Sequence, residues 1–352
     1  MKKNSFLNIM LAGFLAAMLL TGCAVSTAEA PTASPETAKR PAAATPATDL
    51  TSAPEKEKLS IVALKGPTGM GMVQLMQADE QGQTAVDYTA TLAATPDEIS
   101  GKLITGEADI AAAPINLAAA LYNKTEGKVK IIAVNTLGVL YILENGNTIH
   151  SVADLANAKL YATGQGATPE FVLNYLLEKN GIQGKVEMSY MAEHAELAAL
   201  LASGVGEVNV AMLPEPNVTM SLMKNKDLRI ALDISEEWNK VSGGIPLVQG
   251  CIVARAEVLE QQPDTIAAFL EEYAASTAFT NEKTDEAAAL IEAYGILPSA
   301  AAAKAAIPNC NIVCITGADM KASAQNMLQV LFDADPKSVG GKLPGDDFYY
   351  VP

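Results

Sequence analysis

The chain has 352 residues, of which 49% are hydrophobic and 18% are charged, and its formal net charge is −16 at pH 7. This acidic balance, with no basic run that tracks a phosphate backbone, excludes nucleic acid as an expected partner. The length suffices for a leader and a two-lobed protein, because single hydrophobic cores stop growing near about 250–300 residues.

An export signal occupies the start of the chain. Lys2 and Lys3 precede an apolar run over residues 6–20, and Leu-Thr-Gly-Cys follows at residues 20–23. The run is shorter than the roughly 20 apolar residues of a membrane-spanning helix, so residues 1–22 are predicted to be a cleaved signal peptide. The tetrapeptide resembles the bacterial lipobox, which implies that Cys23 becomes a lipidated amino terminus on the extracytoplasmic side of the cell membrane. The alternative is an ordinary secreted protein with an incidental Cys23.

A tether is predicted to follow the signal over residues 23–57. This stretch is rich in Ala, Thr and Pro and holds no aromatic residue. Such a composition cannot bury enough apolar surface to offset its ordering entropy, so we expect it to be flexible.

The first half of a duplicated pattern begins at residue 59. Residues 59–64 read as a buried strand that breaks at a Gly-Pro-Thr-Gly loop and continues as a helical pattern over residues 70–76. Residues 103–111 then read as a helix end, a glycine C-cap and a short strand that stops at Pro114. Asn116 is predicted to be the N-cap of the next helix.

The same order of elements recurs about 100 residues later. Residues 160–163 read as a strand, followed by a glycine loop and a helix over residues 171–177, with Thr168 and Pro169 as the predicted N-cap and first helical residue. A second strand over residues 207–211 closes at Pro214. The repeat is too long for a solenoid unit and indicates two similar α/β lobes.

The rest of the pattern assigns the lobes. Residues 139–143 are predicted to leave lobe 1, and residues 246–253 to return to it, which gives two chain crossings. Lobe 1 is therefore predicted over residues 58–143 and 250–352, and lobe 2 over residues 147–246. Helical patterns over residues 263–279, 285–294, 299–306 and 319–331 are expected to cover lobe 1.

One phrase carries a family resemblance. Ser-Val-Ala-Asp-Leu at residues 151–155, followed by Lys-Leu-Tyr-Ala at 159–162, resembles the opening of lobe 2 in solute-binding proteins of the nitrate, sulfonate, taurine and thiamine-precursor group. The chain departs from the family at residues 157–158, where Asn-Ala replaces the usual Gly-Lys. The resemblance implies a two-lobed, type 2 periplasmic-binding-protein (Venus flytrap) fold, and an ABC permease with its ATPase as partners.

The candidate ligand-binding residues lie at strand ends or at the crossings. In open parallel sheets, ligands bind beyond the carboxyl ends of strands, where helix N-termini offer N–H donors. The set is Gly66, Pro67, Thr68, Gly69, Met70, Pro114, Asn116, Tyr141, Gln165, Gly166, Ala167, Thr168, Pro214, Glu215 and Gln249. Each also has a structural interpretation as a turn, cap or solvated loop residue. Glu215 favours a ligand with an amine or another hydrogen-bond donor, or else only caps a helix.

The charge of the ligand stays open at the level of sequence. The chain has three arginines, Arg40, Arg229 and Arg255, none of them in the four predicted loops, so a bidentate clamp on an anion is missing. Helix N-termini can still bind an anion. A sulfonate-like or nitrate-like anion and a thiamine-precursor-like heterocycle are therefore both compatible, and Met70 and Met72 favour an apolar or flat molecule.

A catalytic function is not predicted. His150 and His194 are the two histidines, and neither falls in a loop assigned to the cleft, while Cys251, Cys310 and Cys314 sit in or beside apolar runs. No metal or cofactor is predicted, and a bridge between Cys310 and Cys314 stays open. The predicted function is capture of a small solute for an ABC importer. The alternatives are a sensing or adhesive lipoprotein, and a pyrimidine-processing enzyme on the same fold.

Overall fold

The computed structural model describes residues 56–352. The predicted signal peptide, the lipidation site Cys23 and nearly all of the predicted tether lie outside the described residues. Two sheets and thirteen α-helices make up the described part of the chain.

The strands are β1 Lys58–Leu64, β2 Asp87–Ala93, β3 Ile110–Pro114, β4 Val129–Thr136, β5 Leu140–Asn145, β6 Lys159–Thr163, β7 Glu187–Met191, β8 Val210–Pro214, β9 Leu228–Asp233, β10 Gly250–Arg255 and β11 Ile312–Ile315. The helices are α1 Pro67–Met70, α2 Val73–Glu80, α3 Pro96–Thr105, α4 Ile115–Lys124, α5 Thr168–Lys179, α6 His194–Ser203, α7 Asn217–Lys224, α8 Ile234–Val241, α9 Ala256–Gln261, α10 Pro263–Glu282, α11 Thr284–Ala293, α12 Ala300–Ala306 and α13 Gly317–Ala334.

The strands form two separate sheets, which define the two lobes. The sheet of lobe 1 has six strands in the order β11-β4-β10-β3-β1-β2, and that of lobe 2 has five in the order β7-β6-β8-β5-β9. β1 pairs in parallel with β2 and β3, and β6 pairs in parallel with β7 and β8. The strands that connect the lobes, β5 and β10, run antiparallel to their neighbours.

Two short connections join the lobes. Residues 137–139 lead from β4 into β5, and residues 242–249 lead from α8 back into β10. The predicted two-lobed α/β fold with two chain crossings is therefore confirmed. In lobe 1 the crossings meet β4 and β10, which are neighbours in the sheet, and in lobe 2 they meet β5 and α8, the helix that follows the edge strand β9.

Equivalent helices in the two lobes end on glycine. Gly106 ends α3 and Gly204 ends α6, both in the left-handed backbone region, with φ of 78° and 63°. Glycine adopts this conformation without the steric cost that a Cβ atom imposes. These caps turn the chain into β3 and towards β8, so the glycine C-cap predicted at Gly106 is confirmed.

Two helix starts differ from the prediction. α4 begins at Ile115 with Pro114 as its cap, so Asn116 lies inside the first turn and its predicted capping role is wrong. α5 begins at Thr168 and is capped by Ala167, which places Thr168 one residue inside its predicted position. The physical reason is that the side chains of Asn116 and Thr168 hydrogen-bond to each other instead of to their own helices.

The helices after the second crossing bear out the sequence pattern. α10, α11, α12 and α13 occupy the four predicted stretches. On α10, Phe269 and Tyr273 are fully buried and stack with ring centroids 5.7 Å apart, in the apolar cluster that includes Leu75 of α2. The large aromatic surface removed from water here holds the late helices against lobe 1.

The three cysteines of the described part are free. Cys251 and Cys310 are buried, and Cys314 is half-buried. Burial raises the pKa of Cys251 and Cys310 above the ordinary value for a thiol, because a thiolate loses its hydration there. Both residues therefore serve as small apolar side chains, and no disulfide joins Cys310 to Cys314.

Candidate functional site

The two lobes present corresponding edges to each other. In lobe 1 the carboxyl ends of β1, β3 and β4 lie at the same edge as the start of β10. In lobe 2 the carboxyl ends of β6, β8 and β9 lie at the same edge as the start of β5. All fifteen predicted ligand-binding residues lie at or just beyond these edges, which we call the cleft edges.

One direct contact joins the lobes through two predicted site residues. The Thr168 hydroxyl, at the start of α5 in lobe 2, donates to Asn116 Oδ1, in the first turn of α4 in lobe 1, at 3.2 Å. Thr168 is buried and Asn116 is half-buried, so this hydrogen bond is partly sheltered from water. The two cleft edges are in contact here, which is the closed arrangement of a two-lobed protein.

A second contact between the lobes is centred on Asn309. This residue precedes β11 in lobe 1, and its carbonyl oxygen accepts from the Tyr141 hydroxyl of β5 at 3.1 Å. Its Nδ2 donates to Glu215 Oε1, just after β8, at 3.2 Å. Two residues on, Asn311 Nδ2 donates to the carbonyl oxygen of Gly138 in the first crossing at 2.5 Å. The segment over residues 309–311 therefore holds lobe 2 and the crossing at once.

Sequence reasoning missed Asn309 and Asn311. They flank Cys310 in an Asn-Cys-Asn run that has no strand or helix period and is not part of the duplicated pattern. Asn311 has a φ of 44°, and Asn is one of the few residues other than glycine that tolerate the left-handed region. That tolerance was the one local signal for a tight turn at this position.

Glu215 is a buried carboxylate that the protein satisfies by itself. Its Oε2 accepts from the Thr219 backbone N–H at 3.1 Å and its Oε1 from the Thr219 hydroxyl at 2.9 Å, which caps α7. Burial raises the pKa of Glu215 above its ordinary value, and the hydrogen bonds from Thr219 and Asn309 oppose that shift. The same burial, with the nearby charges of Asp233 and Glu215, raises the pKa of Tyr141, so its hydroxyl stays protonated.

The glycine loop of lobe 1 is a compact turn. The backbone N–H groups of Gly69 and Met70 both donate to the carbonyl oxygen of Gly66. A Cβ on Gly69 would lie 2.6 Å from the carbonyl oxygen of Leu64, so no larger residue fits. Met70 is fully buried and packs in the cluster that holds Cys310, away from solvent. Of this loop, Pro67 and Thr68 keep half-exposed surface.

A buried polar group supports Thr68 from below. Asn135, near the end of β4, is fully buried; its Nδ2 donates to the carbonyl oxygen of Thr68 at 3.2 Å and lies 3.3 Å from the Tyr273 hydroxyl. A Cβ on Gly250 would lie 2.7 Å from Asn135 Oδ1 and 2.8 Å from Thr68 Cγ2. The first residue of β10 is glycine because Asn135 and Thr68 occupy that space.

The glycine loop of lobe 2 is more exposed. Gln165 and Gly166 are exposed, and Gly164 and Gly166 have left-handed φ of 76° and 73°. The Gly166 N–H donates to Glu170 Oε2, on the first turn of α5, at 2.6 Å. The donor that sequence reasoning assigned to a ligand is therefore already paired with a carboxylate of the chain.

Gln249 sits in the second crossing, where its main chain ties the crossing to lobe 1. Its N–H donates to the carbonyl oxygen of Thr136 and its carbonyl oxygen accepts from the Ile115 N–H. Its Nε2 is buried and has no hydrogen-bond partner. A buried amide nitrogen without an acceptor costs free energy, so this atom is suited to an acceptor on a bound molecule.

His194 is a second residue that sequence reasoning set aside. It begins α6 directly after β7, and its Nδ1 lies 2.5 Å from the hydroxyl of Thr163, the buried last residue of β6. The residue as a whole is exposed, yet packing of the ring lowers the pKa of His194 below its ordinary value. His194 falls in no loop that the sequence assigns to the cleft; its helix begins just beyond the carboxyl end of β7, which pairs with the carboxyl end of β6. His150 lies at the opposite end of lobe 2, where it contacts the Asn147 carbonyl oxygen.

Residues 56–352 also form a groove away from the cleft. A groove of about 690 Å³, lined by Lys124, Lys128 and Arg255 among others, lies at the edge of lobe 1 opposite the cleft. Within residues 56–352, no three His, Cys, Asp or Glu side chains come together as a possible metal site. None of the helices described is both long enough and apolar enough to span a membrane.

The arrangement of two α/β lobes, two crossings and apposed strand ends defines a type 2 periplasmic-binding-protein fold. The menaquinone biosynthesis family model matches residues 72–305, more than half of the chain, and the chain belongs to this family. Membership of the nitrate, sulfonate, taurine and thiamine-precursor group, which sequence motifs suggested, is not confirmed at the family level. No curated protein matches the chain.

Solved structures share the fold at low sequence identity. An ABC transporter from Parabacteroides distasonis has a TM-score of 0.72 at 24% identity, covering 84% of this chain and 99% of that chain. The periplasmic aliphatic sulphonate binding protein SsuA from Escherichia coli has a TM-score of 0.67 at 18% identity, covering 85% and 93%. The alkanesulfonate-binding protein SsuA from Xanthomonas axonopodis pv. citri, bound to MOPS, has a TM-score of 0.60 at 16% identity, covering 83% and 96%.

Proposed function

We propose that the chain is an extracytoplasmic solute-binding lipoprotein that captures a small molecule between its lobes and delivers it to an ABC permease and its ATPase. The observation that carries this proposal is the pair of contacts across the cleft, Thr168 to Asn116 and Asn309 to both Tyr141 and Glu215. A protein whose lobes meet through a few hydrogen bonds and two short crossings is built to open and close by a hinge motion.

The chemistry of the cleft favours binding over catalysis. A catalytic site needs a nucleophile or base with a suitable pKa within reach of the reacting atom. Here Glu215 is engaged by Thr219 and Asn309, the Tyr141 hydroxyl is held protonated, and Cys310 is buried with a raised pKa. Ligand binding requires only hydrogen-bonding groups, which both lobes supply.

The experiment is small-angle X-ray scattering combined with calorimetry on residues 56–352. Titration with fractionated bacterial metabolites is expected to yield a ligand that binds with one site per chain and shifts the protein fully to a compact form. Saturable binding without any change in scattering, in a sample whose free form is already open, would contradict the hinge mechanism.

The membrane anchor is tested separately. We expect the full chain to partition with membranes after lipid attachment at Cys23, and the Cys23→Ala variant to be released in soluble form. Metabolic labelling with a palmitate analogue gives the direct measurement, because the acyl chains and not the polypeptide anchor the protein. Labelling of the Cys23→Ala variant to the same extent would refute lipidation at this residue.

A step in menaquinone biosynthesis is the second candidate, favoured by the family match over residues 72–305. Thr163 at the end of β6 and His194 at the start of α6 place a hydroxyl and an imidazole nitrogen 2.5 Å apart. Deletion of the gene separates the two functions. If the protein is an importer subunit, the deletion leaves the menaquinone content of cells supplied with all other nutrients unchanged. If it is an enzyme of the pathway, the deletion abolishes menaquinone.

A further inference from the structure

We propose that the cleft admits uncharged or cationic solutes and rejects small oxyanions such as sulfonates and nitrate. This inference rests on the proposed solute-binding function and names the class of solute for that same site. It concerns a question that the sequence left open, because helix N-termini at strand ends can hold an anion even where arginine is missing.

Carboxyl groups of the chain occupy N–H donors at two helix starts in lobe 2. At α5 the Gly166 N–H donates to Glu170 Oε2 at 2.6 Å, and Pro169 has no N–H to offer. At α7 the Thr219 N–H donates to Glu215 Oε2 at 3.1 Å. In lobe 2 a carboxyl group of the chain thus already occupies the Gly166 N–H just before α5 and the first turn of α7, and an anion binding at either place would have to displace it.

The two arginines of the described residues lie away from the cleft. Arg229 lies at the start of β9 and pairs with Glu144, and Arg255 lies at the end of β10 and pairs with Asp109. Both positions are at the ends of the strands opposite the cleft edges. Neither guanidinium can clamp an anion in the cleft in the bidentate manner typical of oxyanion sites.

The lysine nearest in sequence to the cleft loops does not replace them. Lys65 directly follows β1, and its backbone N–H donates to the carbonyl oxygen of Ala93, the last residue of the edge strand β2. Lys65 is exposed. Charges exposed to solvent are screened by salt. The carboxylate of Glu170 acts in the opposite sense, because it repels a bound anion. At the effective dielectric of a protein surface, this repulsion weakens anion binding by roughly 10- to 100-fold.

The cleft edges offer neutral hydrogen-bonding groups to a solute. Gln249 Nε2 is a buried donor without an acceptor. The Tyr141 hydroxyl donates to the Asn309 carbonyl oxygen, so it offers a solute only a lone pair. The hydroxyls of Thr68 and Thr168 likewise donate within the chain, to the Leu64 carbonyl oxygen and to Asn116 Oδ1, and can only accept from a solute. These groups suit a neutral molecule that carries an acceptor for Gln249 and N–H or O–H donors for the hydroxyls, and the Glu170 carboxylate tolerates a cationic one.

The test uses residues 56–352 with probes of known charge. Sulfate, nitrate and methanesulfonate are titrated by calorimetry at low salt, up to a concentration of about 10 mM. This limit is on the order of the weakest Kd that such a titration resolves. A bacterial metabolite extract is then divided by anion exchange into an anionic and a non-anionic pool, and each is screened by native mass spectrometry. We expect none of the three anions to bind, and a ligand to come from the non-anionic pool.

The outcomes separate the two proposals. Binding of any of the three anions within the titrated range, or of a ligand from the anionic pool, would overturn the charge selectivity and leave solute binding standing. Failure of both pools to supply any ligand would overturn solute binding itself, and the selectivity with it.

A matched pair of variants locates the effect. Glu170→Ala frees the Gly166 N–H, whereas Glu178→Ala removes an equal charge from an exposed position on the same helix. We expect methanesulfonate to bind at least about tenfold more tightly to Glu170→Ala than to Glu178→Ala. Equal affinities for the two variants would contradict a local role for Glu170.

Discussion

Replacement of Asn309 by alanine is the sharpest test of how the lobes are held together. The change removes the hydrogen bond from Asn309 Nδ2 to Glu215 Oε1, while the backbone oxygen that accepts from Tyr141 stays in place. Thr219 still donates to Glu215, so the carboxylate is not left unpaired. The substitution therefore weakens the contact between the lobes without removing the cap of α7.

The size of the effect follows from the charge of the acceptor. Hydrogen bonds to charged groups contribute about 1.5–3 kcal/mol, and the half-buried position of Asn309 favours the lower part of that range. A loss of about 1.5–2 kcal/mol lowers the ratio of closed to open molecules by roughly 10- to 30-fold. The ligand-free variant should accordingly be measurably more open than the wild type.

Small-angle scattering of the ligand-free protein measures this opening as an increase in the radius of gyration. Asn123→Ala is the matched control, because Asn123 Nδ2 also donates to carbonyl oxygens, those of Val339 and Lys342, but within lobe 1. It should lower the melting temperature without altering the scattering. A wild-type scattering profile for Asn309→Ala, with the melting temperature also unchanged, would refute the assignment of this contact to closure.

Three further predictions concern stability. Because burial raises the pKa of Glu215, its contribution to stability is present below the ordinary value of 4.5 and lost as pH rises through the raised value; Glu215→Gln should remove that slope from a plot of melting temperature against pH. Gly250→Ala should cost about 1–3 kcal/mol in urea unfolding, since its Cβ would press on Asn135 and Thr68, whereas Gly101→Ala, in open space on α3, should stabilise by about 0.5–1 kcal/mol. Arg229→Ala should cost about 3 kcal/mol by leaving the buried carboxylate of Glu144 without its ion pair. An equal loss in Lys304→Ala, whose ion pair with Asp285 is exposed on both sides, would contradict that reasoning.

Much of the fold was predictable because its signals are local. The strand, glycine loop and helix of each lobe are encoded in adjacent residues, and the left-handed Gly106 and Gly204 mark helix ends in both halves. The late helices also matched their hydrophobic periods. The same locality explains the two misplaced helix caps, since Asn116 and Thr168 have the right chemistry for capping and only the meeting of the lobes directs them to each other.

The sequence by itself determined that the chain has two α/β halves and that the loops at their strand ends hold no arginine. Only the tertiary structure decided which polar groups in that cleft are free. Asn309 meets Glu215 across 94 residues of sequence, and Tyr141 across 168, distances at which no periodic pattern carries information. A donor such as the Gly166 N–H is available or occupied according to a neighbouring side chain, and that depends on the folded geometry and not on residue type.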